Sequence, residues 1–235
     1  MLTLALLGLG WLGQDAERPK LPRLLRRQED SVGAWENGLY DSDPEIRAEA
    51  TSLLLGRIGD VRPAERLEFL MACAGGGFLP TDLGATFRAL SEEWDGAQAA
   101  VGKALRSDPG EDGSLLRGAL IAAGAMELAS PEVVEGVAAR LRDSATAGLA
   151  REALFRITRH EFQDWGSFGE WWQGARESGR EAWLLEAMDQ ALEREIALWK
   201  TRLVADPGSA LDALLEPISG VRRLGYEGLR ALAPG

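Results

Sequence analysis

Apolar residues recur along this chain in short stripes at four-residue steps, and the stripes themselves return at an interval of roughly 35 residues. The clearest runs through Ile46, Ala50 and Leu54. Its opening residue has counterparts at Leu83, Leu116, Leu149, Leu184 and Val221, at successive spacings of 37, 33, 33, 35 and 37 residues. A four-residue step keeps side chains on one face of a helix, so each stripe predicts an amphipathic helix. Ahead of each lies a second helical segment, at residues 31–40, 64–74, 97–107, 131–142, 167–177 and 209–218. Six two-helix units result. A pair of short amphipathic helices cannot bury both of its faces alone, so the pattern predicts pairs stacked on one another in an elongated, curved array.

The polar positions between the stripes carry the matching punctuation. Asp43 can cap a helix whose first residue is Pro44 and whose first turn holds Glu45. Gly59-Asp60, Gly75-Gly76-Gly77, Asp108-Pro109-Gly110, Ser130-Pro131 and Asp206-Pro207-Gly208 mark joints. Ser167 with Glu170, and Ser178 with Glu181, have the spacing of capping boxes. From Arg180 to Asp206 there is neither Gly nor Pro, and Leu184, Met188, Leu192, Ile196, Trp199 and Leu203 share a stripe. One helix, longer than its neighbours, is predicted there.

Composition agrees with this pattern. Ala, Leu, Arg and Glu dominate while the β-branched and tyrosine residues that strands draw on are scarce, so the predicted fold class is all-α. The formal charge of −11 argues against a nucleic-acid partner, because it repels a phosphate backbone at long range. The single cysteine, Cys73, excludes an intrachain disulfide and lies among Met71, Ala72 and Ala74, as a buried structural residue would.

The amino terminus departs from the repeat. Met1 to Leu12 is an apolar run too short to span a bilayer, and residues 1–14 read as a signal peptide or leader that directs export to the periplasm or beyond, the alternative being a cytoplasmic chain whose apolar run is no signal. Residues 15–30 read as a linker, and 31–235 as the repeat domain. Gly8, Gly10 and Gly13 spell a G-x-G-x-x-G, but Pro19 and Pro22 interrupt the helix that such a motif must open, and no alternating strand and helix pattern follows. Dinucleotide binding is not expected.

Asp43-Pro44-Glu45-Ile46-Arg47, with Ala50 and Leu54 to Gly56, resembles the second helix of a HEAT repeat in its short bacterial form. That resemblance implies an α-α superhelix of about six units. It also implies that the arginine after the apolar residue, present as Arg47, Arg117 and Arg222, belongs to a polar ladder between units. The ladder is partial, since no arginine follows Leu83, Leu149 or Leu184. Ile157-Thr158-Arg159-His160-Glu161-Phe162, with Trp165, Trp171 and Trp172 after it, is similar to a segment of exported HEAT-like proteins from planctomycete-type bacteria. HEAT families act mostly as scaffolds and adaptors, although some members are enzymes, so fold alone does not decide function.

Candidate chemistry is sparse. His160 has Glu161 and Asp164 beside it, but no nucleophile or second ligand is spaced to meet it, and it reads as a surface histidine at the end of the fourth unit. No calcium loop, phosphate loop or nucleophile elbow occurs, and no cofactor or metal is expected. Trp171 and Trp172 are adjacent, so on a helix they point about 100° apart and cannot both face one core. Together with Arg47, Arg117 and Arg222 they are the candidate contacts to a partner protein or peptide. The expected function is that of a non-enzymatic scaffold, the alternatives being a carboxylate and His160 site assembled across repeats or a structural docking module.

Overall fold

The computed structural model describes residues 38–39, 41–77, 83–107 and 113–232. The leader with its Gly8 to Gly13 motif, the linker, most of segment 31–40 and the 108–110 joint lie outside the described residues. Among the described residues there is no strand, and eleven α-helices follow one another. They are α1 (Pro44–Arg57), α2 (Pro63–Gly75), α3 (Gly84–Glu93), α4 (Ala97–Arg106), α5 (Ser114–Ala125) and α6 (Pro131–Ala139), then α7 (Ala147–Thr158), α8 (Trp165–Ala175), α9 (Gly179–Ala205), α10 (Ala210–Leu215) and α11 (Ser219–Leu232). The fold class is all-α, as the pattern predicts, and the long helix α9 runs for 27 residues where the Gly- and Pro-free stretch requires it. Among the described residues no helix is long and apolar enough to cross a membrane.

Two compact units divide the chain, Met1–Arg176 and Glu177–Gly235. In the first, α5 is the central helix. It buries Leu116 and Leu120 on its stripe, and also Ser114, Gly118, Ala119 and Ala122 to Ala125, so small residues surround it with close neighbours. Its broadest contact is with α2, and it also packs on α4 and α7. The α2–α5 crossing depends on glycine at both helices. A Cβ on Gly75 would fall on the Ser114 carbonyl oxygen, and one on Gly118 would fall on the carbonyl of Met71. Leu67, Leu70, Met71 and Cys73 of α2 are thereby closed off from solvent.

Further along the unit α4 packs on α6, and α6 on α7, which supplies Ala150, Ala153, Leu154 and Ile157 to the core. Two of the predicted caps form at the amino ends of α1 and α6. The Asp43 side chain accepts from the Glu45 N–H at 2.8 Å, and Ser130 caps α6 ahead of Pro131. One stripe begins a turn late, because Ile46 is 45% exposed while Ala50 and Leu54 are buried.

The second unit packs α10 and α11 on each other and on the carboxyl-terminal half of α9. Its core is small: Trp199, Ala213 and Val221, with Ile196, Ile218 and Leu224 partly buried around them. Arg202 covers the outer face of Trp199 at 4.6 Å and pairs with Asp212 at 3.2 Å. Gly225 again marks a close crossing, since a Cβ there would meet the Ala210 carbonyl at 2.8 Å and the Ala213 Cβ at 2.9 Å.

Candidate functional site

The three arginines of the expected ladder hold backbone. Arg117 donates through Nε to the Gly75 carbonyl at 2.8 Å and so joins α5 to the end of α2, a bond between neighbouring helix pairs. Arg47 reaches back to the carbonyls of Asp41 and Ser42, at 2.7 and 2.8 Å, and Arg222 does the same to Glu216 and Pro217. These two fasten the turn that leads into their own helix. Arg140, which the sequence reading did not single out, parallels Arg117 by donating to the Leu105 carbonyl at the end of α4. Its signal is weak, because it follows the helix it serves and not an apolar stripe.

The tryptophans belong to an aromatic cluster that closes the first unit. Arg159 takes a left-handed conformation (φ 63°) at the end of α7 and turns the chain back. Thr158 steadies that turn, donating its hydroxyl to the Leu154 carbonyl at 2.8 Å and accepting the His160 N–H at 3.1 Å. Asp164 and Ser167 then form a reciprocal capping box that starts α8. The cap is therefore Asp164, and Ser167 stands at the third helical position: two residues of capping type lie three apart, and the earlier one leads the helix. Hydrogen bonds from the Ser167 N–H and then its hydroxyl hold the Asp164 carboxyl below the usual carboxylate range. Ser178 makes no capping bond to α9 and instead accepts from Trp183 Nε1 at 3.2 Å.

Within the cluster Trp172 is buried, stacks on Phe168 with ring centres 5.5 Å apart, and donates Nε1 to Glu135 Oε1 at 3.0 Å. Glu135 is also paired with Arg176 at 3.1 Å. Trp171 diverges, as adjacent helical positions must, and is half-buried against His160 at 4.9 Å and Phe162 at 5.1 Å. Trp165 lies under the Arg142 guanidinium at 4.1 Å. His160 is not a surface residue: it is 7% exposed, because the turn after α7 folds it beneath Trp171. Cys73 is fully buried, and desolvation pushes its thiol up to about 12, which keeps it protonated and poorly nucleophilic. Among the described residues no group of three or more His, Cys, Asp or Glu is placed to hold a metal ion.

A different surface is left open. The stripe predicted along α9 is real but only half covered. Ile196 and Trp199 pack in the small core of the second unit and Leu203 is half-buried beside Gly228, whereas Met188 and Leu192, with Leu185 beside them, are 67%, 41% and 56% exposed. The buried residues of the amino-terminal half are Trp183 and Ala187, which lie on the opposite side of the helix. Periodicity identifies an apolar face; it does not say whether another helix covers it.

Around that open face the polar residues are acidic. By helical spacing Glu186, Asp189 and Glu193 line one edge, Glu195 the other, and Glu181 closes the amino-terminal end. Arg194, the one basic residue between 181 and 195, points to the far side. Comparison of the chain with protein-family models, with curated proteins and with solved structures returns no match.

Proposed function

We propose that the chain is a non-enzymatic scaffold that binds another protein or peptide, and that the contact is made by the amino-terminal half of α9. The observation that carries this reading is the run Leu185, Met188 and Leu192, an exposed apolar surface that continues, on one unbroken helix, a stripe covered further along. Apolar area left in water on a helix already anchored at its other end can be buried by a partner at little ordering cost. Methionine suits such a surface because its unbranched, polarisable side chain adapts to the group laid against it.

Two further features support a binding role over a catalytic one. The imidazole of His160 is enclosed by Trp171 and Phe162, where no substrate can reach it, and the Cys73 thiol is buried. The depression beside Gln190, Glu193, Arg194 and Ala197 is open to solvent and holds about 400 Å³, a surface hollow and not an enclosing site. The apolar leader, read as an export signal, favours an envelope or extracellular partner.

The test is comparative capture from an envelope extract with the full chain as bait. A variant carrying Leu185→Ser, Met188→Ser and Leu192→Ser should fold, because these side chains touch solvent. It should lose at least about tenfold of whatever the unaltered chain retains specifically, the scale expected when hot-spot side chains are removed. Identical capture by the two chains sinks the proposal.

A further inference from the structure

Resting on that docking reading, we infer that the occupant of α9 is a basic amphipathic helix: apolar residues at helical spacing laid along Leu185, Met188 and Leu192, with Lys or Arg on its flanks. The face is one helix wide and runs over two turns of one continuous helix, which fits a helix packed along it better than an extended strand, since α9 presents no free backbone edge for a strand to pair with. Its rim decides the charge. Glu181, Glu186, Asp189, Glu193 and Glu195 surround the apolar residues, so the flanks of an incoming helix meet carboxylates on both sides.

The same rim rejects a second copy of this chain. Two α9 faces laid together would oppose Glu186, Asp189 and Glu193 to one another, and Arg194, on the far side of the helix, could not intervene. An acidic partner is rejected for the same reason. Exposed carboxylates act through solvent and are screened by salt, so they set selectivity and approach while the apolar stripe holds the complex.

The probes are three synthetic peptides of about 18 residues, long enough for five helical turns. One carries a leucine stripe with lysine flanks, one the same stripe with glutamate flanks, and one the lysine composition scrambled so that no stripe exists. Fluorescence anisotropy of each labelled peptide against the full chain should show the lysine-flanked helix binding at least about tenfold tighter than the other two, with the advantage shrinking as salt shortens the Debye length. Reversing the rim with Glu186→Lys, Asp189→Lys and Glu193→Lys should invert the preference towards the glutamate-flanked helix.

Equal binding of the scrambled peptide overturns the inference, because charge alone then suffices. Equal binding of the glutamate-flanked helix overturns it as well. So does self-association by sedimentation that the Met188→Asp variant abolishes, because the occupant is then a second copy. Capture of a protein that is lost on removing the stripe, without any lysine preference, defeats only the charge class. Peptide binding and capture both untouched by Met188→Asp defeat the docking reading itself. Circular dichroism of each variant checks that α9 is still helical.

Discussion

The two units use the same local device and reach different degrees of closure. In the first, α5 is wrapped on several sides by α2, α4 and α7, and even its glycines and alanines are buried. In the second, α10 and α11 cover the stripe along one half of α9 and leave Leu185, Met188 and Leu192 of the other half exposed. A helix in the middle of a stack has neighbours to satisfy its whole circumference, whereas the 27-residue α9 outruns the short helices that pack on it. The contrast separates residues that hold the fold from residues available to a partner.

The largest effects should come from the crossing in the first unit. Gly118→Val places atoms where the Met71 carbonyl stands, and backbone cannot step aside as a side-chain tip can, so the variant should lose roughly 3 kcal/mol or more by thermal or denaturant unfolding. Gly225→Ala in the second unit meets neighbours at 2.8 to 3.0 Å and should cost less. Equal losses at Gly118→Ala and Gly225→Ala would erase the contrast in packing.

Next come the large rings. Trp172→Ala opens a cavity beside Phe168 and removes the indole N–H bonded to Glu135, which keeps Arg176, and should cost about 3 to 5 kcal/mol. Trp171→Ala should cost less, because that ring is half-buried, and it should leave capture of a partner unchanged if α9 is the docking face. Losses of the full size at both positions make the whole cluster structural and remove it from any account of binding. Met188→Ser, by contrast, should move stability by no more than about 0.5 kcal/mol in either direction, as expected for a solvent-facing site.

Smaller, pH-linked effects sharpen the same division. The Asp164 carboxyl titrates below its ordinary value of 3.8, so its capping contribution is present above that pH and is lost as pH falls through the lowered folded value. In Asp164→Asn, which can still cap, this part of the acid loss should vanish, as melting curves between neutral and strongly acidic pH will show. For Cys73 the folded value is raised from 9.0 to about 12, so its contribution is complete below 9 and declines as pH rises towards 12. A thiol reagent at pH 8 should label Cys73 only as fast as the first unit opens.

Much of the architecture was legible in the sequence because it rests on local chemistry. The spacing from Ile46 to Val221, the Asp43-Pro44 start and the unbroken stretch from Arg180 each report on a few neighbouring residues, and each matches a helix of the fold. What was not legible depends on which neighbour arrives. Nothing near Gly75 or Gly118 says that α2 and α5 meet there, since the two lie far apart in the chain. His160 reads as exposed until the turn at Arg159 carries it under Trp171. Met188 and Leu192 read as core because a stripe is a stripe whether or not anything covers it, and the binding surface proposed here was hidden in that ambiguity.

The crossing of α2 with α5 also bears on how such a chain can change in length. Arrays of identical repeats gain and lose copies readily, because any two neighbouring units present interchangeable surfaces. Here α2 makes its broadest contact not with α3, its own partner in the pair, but diagonally with α5 of the next, through a glycine on each side where a Cβ would strike backbone. Duplicating α3 and α4 would put a copy of α3, which has Ala85 at the position matching Gly118, where α5 now meets α2. That crossing therefore ties α2 to α5 across the helices between them, so a change in the number of helices there must also rebuild the notch.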